Sequence, residues 1–517
     1  MDDRTPIIIG VGEVSERIDD PTYEALSPAD LAGRAAAAAL ADARSDAALA
    51  PHIEVIAAIR QFEVSGPRTV APFGKADNFP RGVARRIGAD PARAILEPVG
   101  GQGPQHLVNE FAQAIGEGGL DLALICGSEA ISTVRHLLSR GESRDWSETV
   151  PGALEDRGFG EALMTPDLPL HGAKSAISVY ALFENARRAR LKRDRQAYAL
   201  DMGRLFAPFT QVAAGNPHAM SREVRSAEAL ATVTASNRLT SDPFPRRLVA
   251  RDQANQGAAV LLASVGKARA LGVPEDRWIY LHGGADARER SPMERADLSR
   301  GPASVLAIRH ALETAGVGLD EIDLIDFYSC FPIAVFNALD GLGMADDDPR
   351  PLTVTGGLPF FGGAGNNYSM HAIAAMIRRL RAHPDQRGLV AANGGFLSKY
   401  SVGIYSARPA PWRGFDSRAL QAEIDAWAAP AVVPGDGAGV VETYTIDYSG
   451  QSPVGIVIGR MTDGGGRFIA MTDPADPTMA ERMIAAEPLG AAVTAKRDAN
   501  GRSIVVDLAP ASGATGP

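Results

Sequence analysis

Cysteine is almost missing from this chain. Cys126 and Cys330 are the only two among 517 residues, too few for a disulfide framework or a cysteine-based zinc cluster and in keeping with a reducing, cytoplasmic setting. A basic excess is missing as well. The formal net charge of −10 excludes nucleic acid and anionic membrane as general partners, while leaving room for a local basic pocket that takes a phosphorylated small molecule. No apolar run approaches the ~20 residues of a membrane span, and residues 1–5 lead into a short apolar strand, not a signal-type segment. There is no P-loop, no H-E-x-x-H and no G-x-S-x-G elbow, and no metal site is expected. What remains is the composition of a soluble globular protein with a small-molecule partner.

At about 150 residues per domain, the length accommodates roughly three domains. Apolar runs at 7–11, 55–59, 94–99 and 122–126 alternate with helical stretches, the first opened by Ser27-Pro28-Ala29-Asp30, which carries helix-start chemistry. The pattern recurs with strands at 278–281, 324–328, around Val354, at 389–392 and 402–405, and helices at 303–315, 333–342 and 371–381. Such alternation predicts a mostly parallel sheet, and its recurrence predicts duplication of one α/β unit. The first half is expected at 1–129 with 246–270, and the second at 271–408. Between them, 130–245 reads as an inserted loop domain with helices at 176–190 and 195–206. A Pro-rich stretch, 409–434, reads as a linker. Beyond it, 435–517 alternates in strand fashion at 440–448, 455–461, 467–471, 491–496 and 503–508, with one helix at 478–485 and tight turns at Gly464-Gly465-Gly466 and Asn500-Gly501. Five short strands and a helix suit a small OB-like barrel. It lacks a basic, aromatic-studded face, so packing between domains is its expected role.

Three turns gather chemistry at one sheet edge. The strand ending Glu97-Pro98-Val99 runs through Gly100-Gly101-Gln102-Gly103 into a helix beginning near His106, which aims free backbone N–H groups and the positive end of a helix at one point. An enzyme often seats a nucleophile there, but this turn offers only backbone donors and the Gln102 amide. Asp326-Phe327-Tyr328-Ser329-Cys330-Phe331 breaks from strand to helix, and Tyr328, Ser329 and Cys330 are candidates for acid/base or nucleophilic work, since a helix N-terminus lowers a thiol pKa toward neutrality. The glycine-rich loop 356–367, with Gly363, Asn366 and Asn367, and the strand end Ala392-Asn393-Gly394 complete the set as oxyanion or thioester contacts. Arg246 and Arg247 are a basic pair suited to a nucleotide phosphate. His106 and His371, each in a helix following a glycine turn, read as satisfied structural histidines.

These turns, in this order, resemble the thiolase superfamily over about residues 5–408, and most closely its sterol carrier protein thiolase branch. Cys126-Gly127-Ser128-Glu129-Ala130 is similar to the family's Gly-x-Glu-Ser segment, and Asn255-Gln256-Gly257-Ala258-Ala259 to its Asp-Gly-Ala-Ala segment. With the added barrel, the chain resembles thiolase-like protein type 1, often labelled acetyl-CoA acetyltransferase. The resemblance implies two fused α/β halves in five αβαβα layers, a loop domain that holds coenzyme A, and C–C bond chemistry at a thioester. It also exposes departures. The family's nucleophilic Cys falls on Gly100, its His-Asp-Cys-Phe motif is here Tyr328-Ser329-Cys330-Phe331, its Gly-His-Pro histidine falls on Gly363, and its final Cys-x-Gly cysteine falls on Ala392. Removing a covalent nucleophile costs a rate factor on the order of 10⁴ to 10⁶, and ping-pong acyl transfer through Gly100 is excluded.

Three readings of these residues result. The first is a CoA-thioester-binding member of the acetyl-CoA acetyltransferase superfamily with weak or absent thiolysis, related to lipid metabolism and holding coenzyme A or acyl-CoA as a ligand, not a tightly bound cofactor. The second is a CoA-thioester retro-aldolase using Tyr328, a position at which some thiolase-like aldolases resemble this chain in carrying tyrosine. The third is a non-catalytic scaffold. Monomer and homodimer are both compatible with the sequence.

Overall fold

The computed structural model describes residues 1–161, 164–345 and 348–509; the tail of the expected barrel module, 510–517, lies outside them. Ten strands form one sheet, ordered from edge to edge as Leu324–Phe327, Arg387–Gly394, Lys399–Ser406, Ile279–Arg288, Pro6–Ser15, Asn255–Ser264, Leu122–Ala130, Val55–Ile59, Arg93–Glu97 and Glu155–Asp156. The halves meet where Ile7 lies opposite Tyr280 in an antiparallel pairing. Counted outward from that seam, each half lays down its first strand, its last, the one before that, and then its second. The repeated order is the duplication expected from the alternating pattern.

The sheet is mixed, which corrects the mostly parallel expectation. Val55–Ile59 runs parallel to both neighbours and Leu324–Phe327 parallel to Arg387–Gly394, but the five pairings around the seam are antiparallel. In the second half the reason is local: Arg387–Gly394 and Lys399–Ser406 are joined by a short turn, and a hairpin can only pair antiparallel. The strand expected around Val354 does not form. There Leu352 O accepts the Phe327 N–H at 3.1 Å, and the Val354 N–H goes to the buried Asp326 carboxylate at 2.9 Å.

Two helices, Gly103–Gly116 and Tyr368–Ala382, touch each other and strands of both halves, forming the central layer. Pro28–Asp42 and Phe79–Arg86 cover the far face of the first half, and Pro302–Ala315 that of the second. The start at Ser27 is a capping box, with the serine hydroxyl accepting the Asp30 N–H and the Asp30 carboxylate accepting the Ser27 N–H. In the insertion, Ala176–Arg190 forms as expected, whereas the next helix continues through Pro208 to Gly215, carried by buried Tyr198, Met202, Phe206 and Phe209.

The C-terminal strands Gly437–Asp447, Val454–Met461, Arg467–Met471, Ala492–Arg497 and Ser503–Leu508 close on themselves in the order first, second, third, fifth, fourth, first, with helix Thr478–Ala485 between the third and fourth. The barrel is docked, not tethered. Arg467, with no exposed side-chain surface, donates to Met293 O at 3.1 Å and Ala296 O at 3.3 Å while pairing with Glu442 at 2.6 Å. Arg188, from the insertion, reaches Tyr444 Oη at 3.1 Å and the Glu487 carboxylate at 2.6 Å. The stretch expected as a linker takes part too: Leu420 and Ile424 of helix Arg418–Asp425 are buried, and the Val433 N–H donates to Arg467 O at 2.9 Å.

Candidate active site

Strand Arg93–Glu97 ends at the Gly100 turn, and helix Gly103–Gly116 starts three residues earlier than its apolar spacing suggests. The turn abuts the ends of two second-half segments. A β-carbon on Gly101 would overlap the Tyr328 hydroxyl and lie 2.6 Å from Asn393 O, and one on Gly394 would lie 3.0 Å from Gly101 N. Only glycine lets the three backbones approach this closely. Ser369, at the start of helix Tyr368–Ala382, ties the turn down by donating to Gly101 O. Lys399, opposite Gly394 across the hairpin, donates to Val99 O at 3.0 Å, and burial lowers its pKa.

The place a nucleophile at position 100 would take is filled. The Gln102 side-chain carbonyl overlaps the point where a β-carbon on Gly100 would sit and also the equivalent point on Gly394. Gln102 Oε1 is buried without a hydrogen-bond partner. Among the described residues, the backbone N–H groups of Gly101 and Gln102 have no acceptor either. These are free donors of the kind every helix N-terminus leaves.

Tyr328 carries a phenol with no hydrogen-bond partner among the described residues, held by an edge-to-face contact with Tyr368 at 5.3 Å. Burial, reinforced by nearby Cys330, pushes its pKa well above the ordinary value, so it stays protonated and acts as a donor. Behind it, Asp326 accepts from Thr353 Oγ1 and Val354 N at 2.9 Å and from Tyr368 Oη at 3.3 Å, and burial raises its pKa to about 6. Tyr328 and Asn393 also line a small cleft of about 20 Å³ whose other walls include Ile308, Phe327, Ala338 and Leu397. The cleft is apolar and runs between the sheet and the two helices that cover it.

Cys330 departs from the sequence expectation. Burial pushes its thiol up to about 12, outweighing the opposing contacts of Tyr180 and Asn393. The helix that follows it, Pro332–Leu342, does not supply the expected activation, because the Ile333 N–H is already taken by the buried Glu184 carboxylate at 2.8 Å. Ser329 is fully buried and its hydroxyl accepts the Leu358 N–H at 3.3 Å, which makes it a brace for the 356–361 loop.

Asn393 holds the decisive geometry. Its Nδ2 lies 3.1 Å from Tyr180 Oη and 3.7 Å from Cys330 Sγ. Tyr180 gives its single proton to Gly395 O at 3.1 Å and accepts the Leu397 N–H at 3.2 Å. With that proton spent, the hydroxyl can only accept from Asn393, which fixes the amide orientation and leaves Asn393 Oδ1 buried and unpartnered. The amide expected to donate to an oxyanion therefore presents an acceptor. Tyr180, on helix Ala176–Arg190, had no sequence signal beyond its helical periodicity.

The remaining candidates lie elsewhere. Asn366 Nδ2 donates to Arg60 O at 2.9 Å and Ser65 Oγ at 3.2 Å, stitching the halves together and leaving no donor for a thioester. The Gly363 N–H is spent on Arg251 O at 2.7 Å. Arg247 donates to Ala229 O and Ser236 Oγ within the insertion, and Arg246 is exposed beside it; their segment continues to Ala250, whose N–H donates to Cys330 O at 2.9 Å. His106 pairs with Asp286 at 3.1 Å near Glu97 and Glu110, and these carboxylates raise its pKa to about 9 despite burial. His371 pairs with Glu13 at 2.7 Å inside the core. Among the described residues, no group of three or more His, Cys, Asp or Glu side chains is arranged to hold a metal ion, and no helix is long and apolar enough to cross a membrane.

Comparison with known proteins places this geometry in a family. Residues 419–500 match the family model described as the thiolase-like protein type 1 additional C-terminal domain. The crystal structure of a monomeric SCP2-thiolase like protein type 1 from Mycobacterium smegmatis is 45% identical, with a TM-score of 0.83, over 98% of this chain and 100% of that one. The Ltp2-ChsH2(DUF35) aldolase (18% identity, TM-score 0.58) and the dimeric peroxisomal thiolase of Saccharomyces cerevisiae (15%, 0.57) each cover 78% of this chain and 98% of their own, and share its fold. A search of curated protein sequences returned no significant match. By full-length identity, matched additional domain and fold, the chain belongs to the SCP2-thiolase-like proteins of type 1.

Proposed function

We propose that this protein binds an acyl-CoA thioester at the Gly100–Gly101 turn and works on it without a covalent acyl-enzyme. One observation carries this reading: the side-chain space at position 100 is filled by the Gln102 amide, while the adjoining Gly101 and Gln102 N–H groups and the Tyr328 hydroxyl beside Gly101 are free donors at the same turn. Such donors are worth roughly 3–4 kcal/mol each when aimed at developing negative charge. Cys330 is a buried neutral thiol, and no acyl transfer is assigned to it. Arg246, exposed just after the insertion, is proposed to meet a phosphate of coenzyme A.

Retro-aldol cleavage is the second reading, favoured by the unpaired Tyr328 phenol. In that reaction the neutral Tyr328 phenol takes the proton of the substrate hydroxyl as it gives its own to the α-carbon, the C–C bond between them breaks to leave a carbonyl compound, and its electron pair passes through a thioester enolate held by the turn's N–H groups to the shortened thioester. The solved relative described as an aldolase shares the fold.

The chain is proposed to act as a monomer. Its sheet edge at Arg93–Glu97 is covered by Glu155–Asp156, which is secured by ion pairs from Arg93 and Arg60, and the 45% identical relative is monomeric. A covered edge has no free ladder to offer a second copy.

Calorimetric titration with acetoacetyl-CoA, followed by addition of free coenzyme A, the thiol that thiolysis consumes, and analysis of the mixture for acetyl-CoA, tests the reading. Saturable binding without product supports it. Thiolytic product would overturn the absence of acyl transfer, and no binding of any CoA thioester would leave the scaffold reading.

A further inference from the structure

Two buried acceptors in this site have nothing to accept. Gln102 Oε1 lies against the α-carbons of Gly100 and Gly394, and Asn393 Oδ1 is turned away from Tyr180 by the proton count around that hydroxyl; neither atom has a partner. Asn393 is 4% exposed. A buried polar atom left without its hydrogen bond is costly, and folded chains retain few of them. Two at one turn, beside free donors, describe a surface awaiting a ligand with both kinds of group.

We infer that Gln102 and Asn393 make the site selective for a 3-hydroxyacyl thioester over its 3-oxo counterpart. The inference rests on the thioester-binding reading above. A thioester carbonyl takes the Gly101 and Gln102 N–H groups or the Tyr328 hydroxyl, and a 3-hydroxyl supplies one proton, which either of the two amide oxygens can accept. A 3-oxo group brings only another acceptor and sets oxygen against oxygen. A plain saturated chain leaves both amide oxygens as they are. Consecutive α-carbons are ~3.8 Å apart, so the groups gathered at Gly100 and Gly101 are close enough to be reached by one acyl chain at its first and third carbons.

The test is calorimetric titration of the full-length protein with racemic 3-hydroxybutyryl-CoA, butyryl-CoA and acetoacetyl-CoA, repeated on Gln102→Met, which keeps length but loses the acceptor. The expected result is at least tenfold tighter binding of the hydroxy thioester than of either other ligand, with the preference reduced severalfold in the variant. Equal binding of all three, or tighter binding of acetoacetyl-CoA, overturns this inference while leaving thioester binding intact. Binding of none overturns both. The comparison of ligands on the unmodified protein stands even if the variant fails to fold.

Discussion

The Tyr328 hydroxyl fills the space beside Gly101 that a β-carbon there would need. A side chain 227 positions away in sequence thus determines what residue the turn tolerates. Gly101→Ala must displace Tyr328 and also push against Asn393 O, which is main chain and cannot rotate away. The expected outcome is a loss of about 1–3 kcal/mol of stability by denaturant titration, together with at least tenfold weaker thioester binding. A variant with unchanged binding would separate Tyr328 from the site.

Restoring the missing thiol at position 100 is expected to fail by itself. The Gln102 amide occupies the place that the side chain of Gly100→Cys would need, so a thiol-disulfide reagent at pH 8 should label that variant slowly. Combining it with Gln102→Ala clears the space, and labelling should accelerate at least tenfold. Background is low because burial pushes both native thiols up to about 12, and thiolates are the reactive species.

Glu129 predicts a pH dependence of stability. Its carboxyl is buried, accepts the Phe62 N–H at 2.7 Å, and is raised to about 8 chiefly by burial. Between its ordinary value of 4.5 and about 8, the unfolded chain releases this proton while the folded chain retains it. The contribution is therefore fully present below pH 4.5 and is lost as pH rises through the folded value. Glu129→Gln removes that dependence: relative to the native protein, the variant should gain at least about 1 kcal/mol between pH 5 and pH 8.5. Urea unfolding at the two pH values measures it, and a constant difference would refute the burial argument.

Arg467 anchors the barrel. Its guanidinium is fully buried between Glu442 and the carbonyls of Met293 and Ala296. Arg467→Met strands those carbonyls and leaves the Glu442 carboxylate to Arg460 alone, at an expected loss of about 3 kcal/mol. Thermal unfolding followed by tryptophan fluorescence and by scanning calorimetry should show one lowered transition, since the barrel residues Ile456, Ile458 and Ile469 share the main hydrophobic core.

Local pattern was enough for much of this architecture. The barrel strands Arg467–Met471 and Ser503–Leu508 and the helix Thr478–Ala485 lie where alternation and turn residues put them, because a half-buried strand and a tight turn are specified within a few residues. The capping box at Ser27 and the glycine turn at Gly100 are likewise properties of short segments. Strand ends were less legible. Pro6–Ser15 and Leu122–Ala130 each run four residues beyond their apolar runs, continuing into polar or small residues that pair within the sheet.

What the linear chain determined by itself was therefore the duplicated α/β repeat, the fused barrel and, at position 100, a glycine that has no side chain to act as a nucleophile. Strand direction at the seam, the burial of Cys330, the hydrogen bonds that occupy Ser329, Gly363 and Asn366, and the acceptor presented by Asn393 were decided only in three dimensions. Each depends on a partner remote in sequence: Glu184 occupies the helix start after Cys330, Arg60 takes the Asn366 amide, and Tyr180 spends its one proton on Gly395. A segment determines which donors and acceptors exist, but the packing of distant segments determines which of them remain unpaired, and those unpaired groups define the site.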